Sequence, residues 1–279
     1  MSEDTGGFRR RNRATARLAR IRRLRRVPLR YVLPNLVTLL ALCLGLTAIR
    51  FASEGQFENA VVSIVAAAIL DGLDGRIARA LHGATRFGAE LDSLADFVDF
   101  GVAPAILLYF WALHEHKSLG WFAALIFAVA CALRLARFNV MIDDPNKPSW
   151  AGRFFVGMPA PAGAIVSMLP LYLQFSIGLP QASWASLAEI AYVLAIAFLM
   201  ASQIPHFSGR KMGRVPREWV IPVLLGVMAT LLLVATFPMQ MLVVLSLAYL
   251  ALIPLSIRSY LAFSRAQAAA PAPEASAAP

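Results

Sequence analysis

Eight long apolar runs constrain the fold of this chain more than any other feature. They lie at about residues 32–52, 57–80, 92–113, 119–141, 157–178, 184–205, 219–237 and 239–257. Each run is close to the ~20 residues that a helix needs to cross a bilayer, and backbone groups in lipid must be paired within their own segment. Only 15% of the 279 residues are charged, against about 25% in an average soluble domain. We therefore expect an all-α integral membrane protein, a polytopic bundle of about eight transmembrane helices.

The basic residues predict the orientation of this bundle. If the N-terminus is cytoplasmic, eight crossings place 24 of the 26 Lys and Arg residues on the cytoplasmic side, as the positive-inside rule requires. Both termini are then cytoplasmic. Eleven of these residues are arginines within residues 1–30, and we expect this arm to contact anionic membrane lipids. No aromatic residue is interleaved among them before Tyr31, which disfavours the RNA-binding alternative, so no nucleic-acid partner is expected.

Acidic residues are concentrated inside two of the predicted spans. Six of the 16 Asp and Glu residues fall between Asp71 and Asp99. Charges facing hydrocarbon are costly, so these side chains are expected to face a polar cavity toward the cytoplasmic side. Asp71 and Asp74 share one helix face, because they are three residues apart. On the next helix, the residues Gly88, Asp92, Asp96 and Asp99 are spaced by four, four and three positions, so they also share one face.

The two acidic faces are expected to meet at one site. The connection between the helices is short, which makes them antiparallel neighbours. Clustered carboxylates repel each other unless a cation neutralises them, and hard oxygen ligands favour magnesium, manganese or calcium over zinc. Arg79 lies close enough to hold a phosphate. A metal site beside an arginine indicates phosphoryl-transfer chemistry, for which a carboxylate at the edge of the cluster would be the base.

At these residues the sequence resembles the CDP-alcohol phosphotransferase family. The signature reads Asp71-x-x-Asp74-Gly75-x-x-Ala78-Arg79, then eight residues, then Gly88-x-x-x-Asp92-x-x-x-Asp96, and every fixed position is present. The resemblance implies a metal site of magnesium or manganese, with two ions expected and calcium as an alternative. Its implied ligands are Asp71, Asp74, Asp92 and Asp96. Asp96 is also the implied catalytic base. The implied contacts to a CDP-lipid are Pro34, Asn35, Thr38, Gly75, Ala78, Arg79, Thr85 and Gly88.

Three further segments resemble the phosphatidylserine synthase branch of that family, and they imply serine as the acceptor alcohol. They are residues 96–105, 134–139 and 155–161. Guanidinium groups near the end of the fourth span suit the serine carboxylate, since Arg binds carboxylates in a bidentate way; side-chain anchoring at the membrane surface is the alternative. Asp99 is expected either to receive the serine ammonium group or to support the metal site. The acceptor candidates are Asp99, Arg134, Arg137 and Asn139.

The expected reaction is transfer of a phosphatidyl group from CDP-diacylglycerol to L-serine, by direct attack with Asp96 as base. Choline, glycerol 3-phosphate or inositol are alternative acceptors, and a cation transporter is the alternative outside enzymes. We expect a basic arm at residues 1–31, a catalytic domain at 32–215, two additional membrane helices at 216–260 and a disordered Ala/Pro-rich tail at 261–279. We also expect a homodimer in the bacterial inner membrane, with its active site facing the cytoplasm.

Overall fold

The computed structural model describes residues 29–83, 85–142, 154–178, 183–202, 204–207 and 236–268, with a few isolated positions between 222 and 234. The basic arm, apart from its last residues, lies outside the described residues. The α-helices are α1 (Leu29–Ser53), α2 (Phe57–Ala80), α3 (Arg86–Phe97), α4 (Ala103–Trp111), α5 (Lys117–Ile142), α6 (Ala160–Ser167), α7 (Leu169–Ile177), α8 (Ser183–Ala201) and α9 (Pro238–Ala268). A π-helix (Val98–Val102) joins α3 to α4, and a 3₁₀ helix (Leu113–His116) precedes α5.

These helices confirm the predicted all-α membrane bundle. Within the described residues, five helical segments are long and apolar enough to cross a membrane by length and composition: Arg30–Ser53, Arg86–Trp111, Leu113–Met141, Ala160–Ile177 and Pro238–Ser259. Helix α2 has the length of a span but carries four ionisable residues in its last ten. The described part of the sixth span is a shorter apolar helix, Ala185–Ala201. Most of the predicted seventh span lies outside the described residues.

The surface of the bundle is strongly apolar, whereas its interior is close-packed. Phe100, Phe127 and Tyr172 are fully buried in one continuous core cluster formed by residues from the helices α1, α2 and α4–α9 and the π-helix. Large apolar side chains such as Phe122 (59% exposed) and Phe198 (69% exposed) point outward. An exposed apolar belt of this extent would aggregate in water and suits contact with lipid. The chain is therefore an integral membrane protein.

Some details differ from the helix pattern expected from hydropathy. The third predicted span begins six residues earlier, at Arg86, and the fifth is divided into α6 and α7 at Met168. Pro170 lies at the start of α7, where a missing backbone N–H is tolerated. The last helix continues to Ala268, beyond residue 261, where the sequence suggested that a disordered tail starts.

A short two-stranded ladder, not expected from the sequence, closes one end of the bundle. Strand β1 (Phe154–Val156) pairs antiparallel with β2 (Pro205–Phe207). Gly157 follows β1 with a positive φ of 78°, which glycine adopts at little cost, and its N–H donates to the Ile204 carbonyl. The ladder holds the start of α6 beside the end of α8, and α9 packs against β2.

Candidate active site

The candidate site is formed where α1, α2 and α3 meet. Helices α1 and α2 form the most extensively packed helix pair of the described chain, and α3 packs across α1. A tight turn between Ala80 and Thr85 reverses the chain from α2 into α3. Thr85 caps α3, because its hydroxyl accepts a 3.0 Å hydrogen bond from the Gly88 N–H. The structure thus confirms the prediction that the two acidic helices are antiparallel neighbours.

The turn depends on a close approach between Gly83 and α1. Pro34 lies inside α1 and cannot donate to the carbonyl of Arg30, four residues earlier. Gly83 packs directly on that carbonyl, and a Cβ atom at this position would collide with the Arg30 oxygen. Sequence reasoning did not single out Gly83. The proline inside an apolar helix was the signal for an accessible carbonyl, but it did not identify the residue that packs there.

Three of the four predicted metal ligands converge. The carboxylate oxygens of Asp71, Asp74 and Asp92 lie within 4.8 Å of one another. Asp74 is buried, with 4% of its surface exposed, while Asp71 and Asp92 are half-buried. The fourth predicted ligand, Asp96, is not part of this group of three, but its carboxyl group lies close enough to that of Asp71 for the two to interact. The spacing in the sequence therefore predicted a real cluster.

The cluster fits a divalent cation. Within the described part of the chain, the only side-chain ion pair closer than 4.0 Å joins Arg50 and Glu54, so the acidic cluster has no such basic partner there. Three converging carboxylates of like charge are unfavourable unless a cation lies between them. Their ligand atoms are all oxygens, the donors that Mg²⁺, Mn²⁺ and Ca²⁺ prefer. The chemistry of the donor set thus agrees with a metal site.

The Thr38 side chain orients one of these carboxylates. Its hydroxyl donates a 2.6 Å hydrogen bond to Asp74 Oδ2, across the α1–α2 interface. Thr38 is itself buried, with 4% of its surface exposed. Groups that hold a metal-ligating carboxylate from behind fix its direction and strengthen metal binding. The position predicted as a CDP-lipid contact therefore also supports the acidic cluster.

A cavity of about 190 Å³ adjoins the acidic cluster. Every residue predicted to contact a CDP-lipid lines it. The lining residues are Pro34, Asn35, Thr38, Asp74, Gly75, Ala78, Arg79, Gly83, Thr85, Gly88, Ala89 and Asp92. Positions that are far apart in the sequence, on three different helices, thus surround one space. Arg79 and two of the clustered aspartates, Asp74 and Asp92, thus line the same space.

The glycines of this cavity differ in what surrounds them. A Cβ atom on Gly75 would meet only the Arg79 guanidinium, at 3.5 Å, so the space beside Gly75 is the cavity itself. A Cβ atom on Gly88 would lie 2.8 Å from Asn35 Oδ1 and 3.1 Å from Thr85 Oγ1. Gly72 is exposed, and a methyl group added there would meet no atom within 4 Å. Gly75 therefore leaves room for a ligand, whereas Gly88 leaves room for its protein neighbours.

A second, apolar cavity of about 380 Å³ lies beside the first. Its walls are mostly aliphatic and aromatic, and Asn35 and Thr85 belong to both cavities. The lining residues are Tyr31, Val32, Asn35, Leu36, Leu39, Thr85 and Phe87. Leu36 and Phe87 are largely exposed on the lipid-facing surface, 50% and 70% respectively. A cavity with charged side chains in its wall, beside an apolar cavity on the lipid-facing surface, suits a ligand with a charged head and a lipid tail.

The four acceptor candidates lie in different environments. Asp99 is 1% exposed in the π-helix, packs against Gly45 of α1 and has a buried Oδ1 without a hydrogen-bond partner. Arg134 has a buried Nε without a partner and lies close enough to Asp96 to interact electrostatically. Arg137 donates 2.8 Å and 3.2 Å hydrogen bonds to the carbonyls of Ala201 and Ser202. Asn139 donates a 2.9 Å hydrogen bond to Ser93 on α3.

These contacts divide the candidates into two groups. Arg137 and Asn139 hold α5 to its neighbours, so Arg137 Nη1 and Asn139 Nδ2 are already used within the protein. Asp99 and Arg134 each keep a buried polar atom without a partner, which is costly unless a ligand satisfies it. The second pair is therefore better suited to contact a charged acceptor.

Comparisons with known proteins identify the family of this chain. Residues 31–201 match the family model described as CDP-alcohol phosphatidyltransferase. A protein of Mycobacterium leprae named CDP-diacylglycerol–serine O-phosphatidyltransferase is 43% identical over 231 residues, which cover 82% of this chain and 75% of that protein. A protein of the same name from Mycobacterium bovis is 44% identical, covering 82% and 79%. One from Helicobacter pylori, also so named, is 34% identical, covering 79% and 88%.

Proposed function

The chain belongs to the CDP-alcohol phosphatidyltransferase family, and on this premise we propose that it transfers the phosphatidyl group of CDP-diacylglycerol to the hydroxyl of L-serine. The products are phosphatidylserine and CMP. The observation that carries the proposal is the joint cavity, by which we mean the two neighbouring cavities that share Asn35 and Thr85: one lies beside three aspartates and Arg79, and the other is apolar and lies among exposed apolar side chains. The names of the three relatives specify serine as their acceptor.

The donor is assigned to the joint cavity by its chemistry. The cytidine diphosphate occupies the polar part, where Arg79 faces the phosphates and Gly75 leaves space beside the helix backbone. The first turn of α3 adds the positive end of a helix dipole to that wall. The diacylglycerol part occupies the apolar cavity beside Leu36 and Phe87. Bound to Asp71, Asp74 and Asp92, a divalent cation, Mg²⁺ or Mn²⁺, would offset negative charge on the diphosphate.

The acceptor is assigned to the Asp96 side of the cluster. Arg134 receives the serine carboxylate and Asp99 the ammonium group, since these residues carry buried polar atoms without partners. Asp96 takes the proton from the serine hydroxyl. The serine oxygen then forms a bond to the lipid-bearing phosphorus, and the bond from that phosphorus to the oxygen of CMP breaks. CMP leaves with that oxygen, toward Arg79.

The direct test uses the purified full-length protein in detergent or liposomes. CDP-diacylglycerol is supplied with one alcohol at a time, and released CMP is measured with and without EDTA. We expect release that depends on L-serine and on Mg²⁺ or Mn²⁺. Release with choline, glycerol 3-phosphate or inositol, but not with serine, would overturn the acceptor. Serine-dependent release that is unaffected by EDTA would overturn the metal site.

The orientation and the assembly are further parts of the proposal. We assign the active site, both termini and the basic arm to the cytoplasmic side of the inner membrane, because the positive-inside rule is met by 24 of 26 basic residues. A cysteine introduced by His82→Cys, in a Cys43→Ser/Cys131→Ser background, should react with an impermeant maleimide only in inverted vesicles.

A homodimer is expected, and light scattering of the protein–detergent complex measures its mass. The arm is expected to bind vesicles that contain anionic lipid.

A further inference from the structure

A glycine of α1 provides the space in which the Asp99 carboxylate lies. Gly45 is buried where α1 packs against the π-helix. A Cβ atom on Gly45 would collide with Asp99 Oδ1, and it would lie 2.9 Å from the Cγ atom and 3.2 Å from the Cα atom of Asp99. Asp99 is only 1% exposed, and its Oδ1 has no hydrogen-bond partner among the described residues. The buried oxygen without a partner is therefore the one directed at Gly45.

Close packing of the helices does not by itself require glycine at this position. Small residues on the buried face of a membrane helix let its neighbours approach. Alanine is sufficient for this at Ala41 and Ala48, which lie on the same face four residues before and three residues after Gly45 and are buried. Glycine in the middle of a helix is less favourable than alanine. Its presence opposite Asp99 is thus explained by the carboxylate rather than by the packing of the helices.

The other side of the π-helix is also in close contact with a neighbour. The π-helix packs against both α1 and α5, and a Cβ atom on Gly101 would lie 3.1 Å from the Cβ atom of Cys131 on α5. Close contacts on both sides leave the π-helix little freedom to move Asp99 away from α1. Single turns of π-helix occur frequently at functional sites. Asp99 is therefore held between two helices, and only the contact at Gly45 involves its carboxylate.

The Asp99 carboxylate lacks a basic partner within the described part of the chain, where the only side-chain ion pair closer than 4.0 Å joins Arg50 and Glu54. Burial of such a group is costly unless a ligand satisfies it. An ammonium group supplies both a positive charge and hydrogen-bond donors. The position suits an acceptor that carries an amino group.

We propose that Gly45 is a positioning residue for the acceptor: because it has no side chain, the Asp99 carboxylate stays against α1, where it receives the ammonium group of the incoming amino acid. The inference rests on the proposed function, and it adds a residue of α1 to the recognition of the acceptor. Gly45 is seven residues, about 10 Å along the helix, from Thr38, whose hydroxyl holds Asp74. Helix α1 thus orients one carboxylate for the metal and a second for the acceptor.

The test is a steady-state comparison of variants of the full-length protein, measured by CMP release. Gly45→Ala puts a methyl group where Asp99 Oδ1 lies, so the carboxylate has to turn away. The KM for L-serine should rise about 10-fold, the loss expected for one hydrogen bond to a charged group, while kcat and the KM for CDP-diacylglycerol stay within twofold. Asp99→Ala should raise the serine KM at least as far. Gly45→Ala/Asp99→Ala should have the serine KM of Asp99→Ala, because no carboxylate is left to displace.

Gly163→Ala is the matched control. It also adds a methyl group to a buried helix interface, 2.9 Å from the Met200 Cγ atom, and it should leave the serine KM unchanged, because the side chain that it crowds is not an acceptor candidate. If Gly45→Ala alone does not fold, the double variant should fold, since Asp99→Ala removes the carboxylate that the methyl group meets. A double variant that also fails to fold overturns the proposal.

The kinetic outcomes are equally decisive. An unchanged serine KM in Gly45→Ala, or a serine KM in the double variant well above that of Asp99→Ala, overturns the positioning role. An equal rise in Gly163→Ala overturns it as well, because crowding of any buried interface would then be sufficient. If the unmodified protein releases no CMP with serine, the proposed function fails instead. The two failures are therefore distinguishable.

Discussion

The Thr38 hydroxyl donates a 2.6 Å hydrogen bond to the Asp74 carboxylate, and these two residues are 36 positions apart in the sequence. The bond links the helix that lines both cavities to the helix that carries the first acidic pair. Both partners are buried, with 4% of each exposed. A buried carboxylate held by a neighbouring hydroxyl keeps one direction, which is what a metal ligand requires.

Removal of this bond should weaken the metal site. In Thr38→Val the shape is retained but Asp74 loses its donor, so the concentration of Mg²⁺ or Mn²⁺ that gives half-maximal CMP release should rise about 10- to 100-fold. Thr38→Ser should restore most of the affinity. Thr47→Val is the control on the same helix, because among the described residues its hydroxyl donates to the Cys43 carbonyl alone. An equal effect of Thr38→Val and Thr47→Val would show that the Asp74 contact is irrelevant to the metal.

Three glycines of the α2–α3 segment should respond differently to alanine. Gly75→Ala adds a methyl group to the cavity wall and touches little protein, so it should raise the KM for CDP-diacylglycerol about 10-fold without loss of thermal stability. Gly88→Ala should also lower stability, because its methyl group would crowd Asn35 and Thr85.

Gly72→Ala is the internal control for this series. Its methyl group meets no atom within 4 Å, so activity should be unchanged. Helix α2 should become more stable by about 0.5–1 kcal/mol, the usual gain of alanine over glycine in a helix. Thermal unfolding in detergent and the KM for the donor separate the three outcomes. Wild-type donor KM in Gly75→Ala would argue against a ligand in that cavity.

Much of the site could be predicted from the sequence, because it depends on helical periodicity and one short turn. Spacings of three and four residues bring Asp71, Asp74 and Asp92 to one side of two adjacent helices, and the structure confirms that cluster. Two membrane helices that are joined by a short connection become antiparallel neighbours. The cavity also needs Pro34, Asn35 and Thr38 of α1, which the family resemblance implied and the spacing alone did not.

The acceptor side could not be predicted in the same detail, because it depends on contacts between distant elements. Arg137 is 64 and 65 residues from the carbonyls that it contacts, and Asn139 is 46 residues from Ser93, to which it donates a hydrogen bond. The π-helix at Val98–Val102 inserts a change of helical register one residue before Asp99. A spacing rule that assumes a regular α-helix has no means to detect such a change.

Asp96 should be indispensable for transfer but not for donor binding. In Asp96→Asn the side chain keeps its size and loses the ability to accept a proton from the serine hydroxyl, so kcat should fall by about 10²- to 10⁴-fold. Calorimetric titration with CDP-diacylglycerol in the presence of Mg²⁺ should still detect binding. Glu90→Gln, an exposed change on the same helix, should leave CMP release unaffected. If Asp96→Asn turned over at the wild-type rate, Asp96 would not be the base.

Arg137 should contribute to stability more than to serine binding. Its guanidinium donates to two carbonyls at the end of α8, where the helix dipole is negative and a cation is favoured. Arg137→Gln should therefore lower the free energy of unfolding by about 1–3 kcal/mol, the usual value for a hydrogen bond to a charged group. The serine KM of the folded fraction should stay within twofold of wild type.

Arg134→Gln is the informative comparison, since it changes the neighbouring arginine of the same helix, three residues earlier. There the serine KM should rise strongly. The change in unfolding free energy should be smaller than for Arg137→Gln, because Arg134 Nε makes no hydrogen bond to the residues that the structure describes. Thermal unfolding in detergent measures one quantity and CMP release at graded serine concentrations the other. The reverse pattern, with a higher serine KM in Arg137→Gln and a stability loss in Arg134→Gln, would exchange the roles of the two arginines.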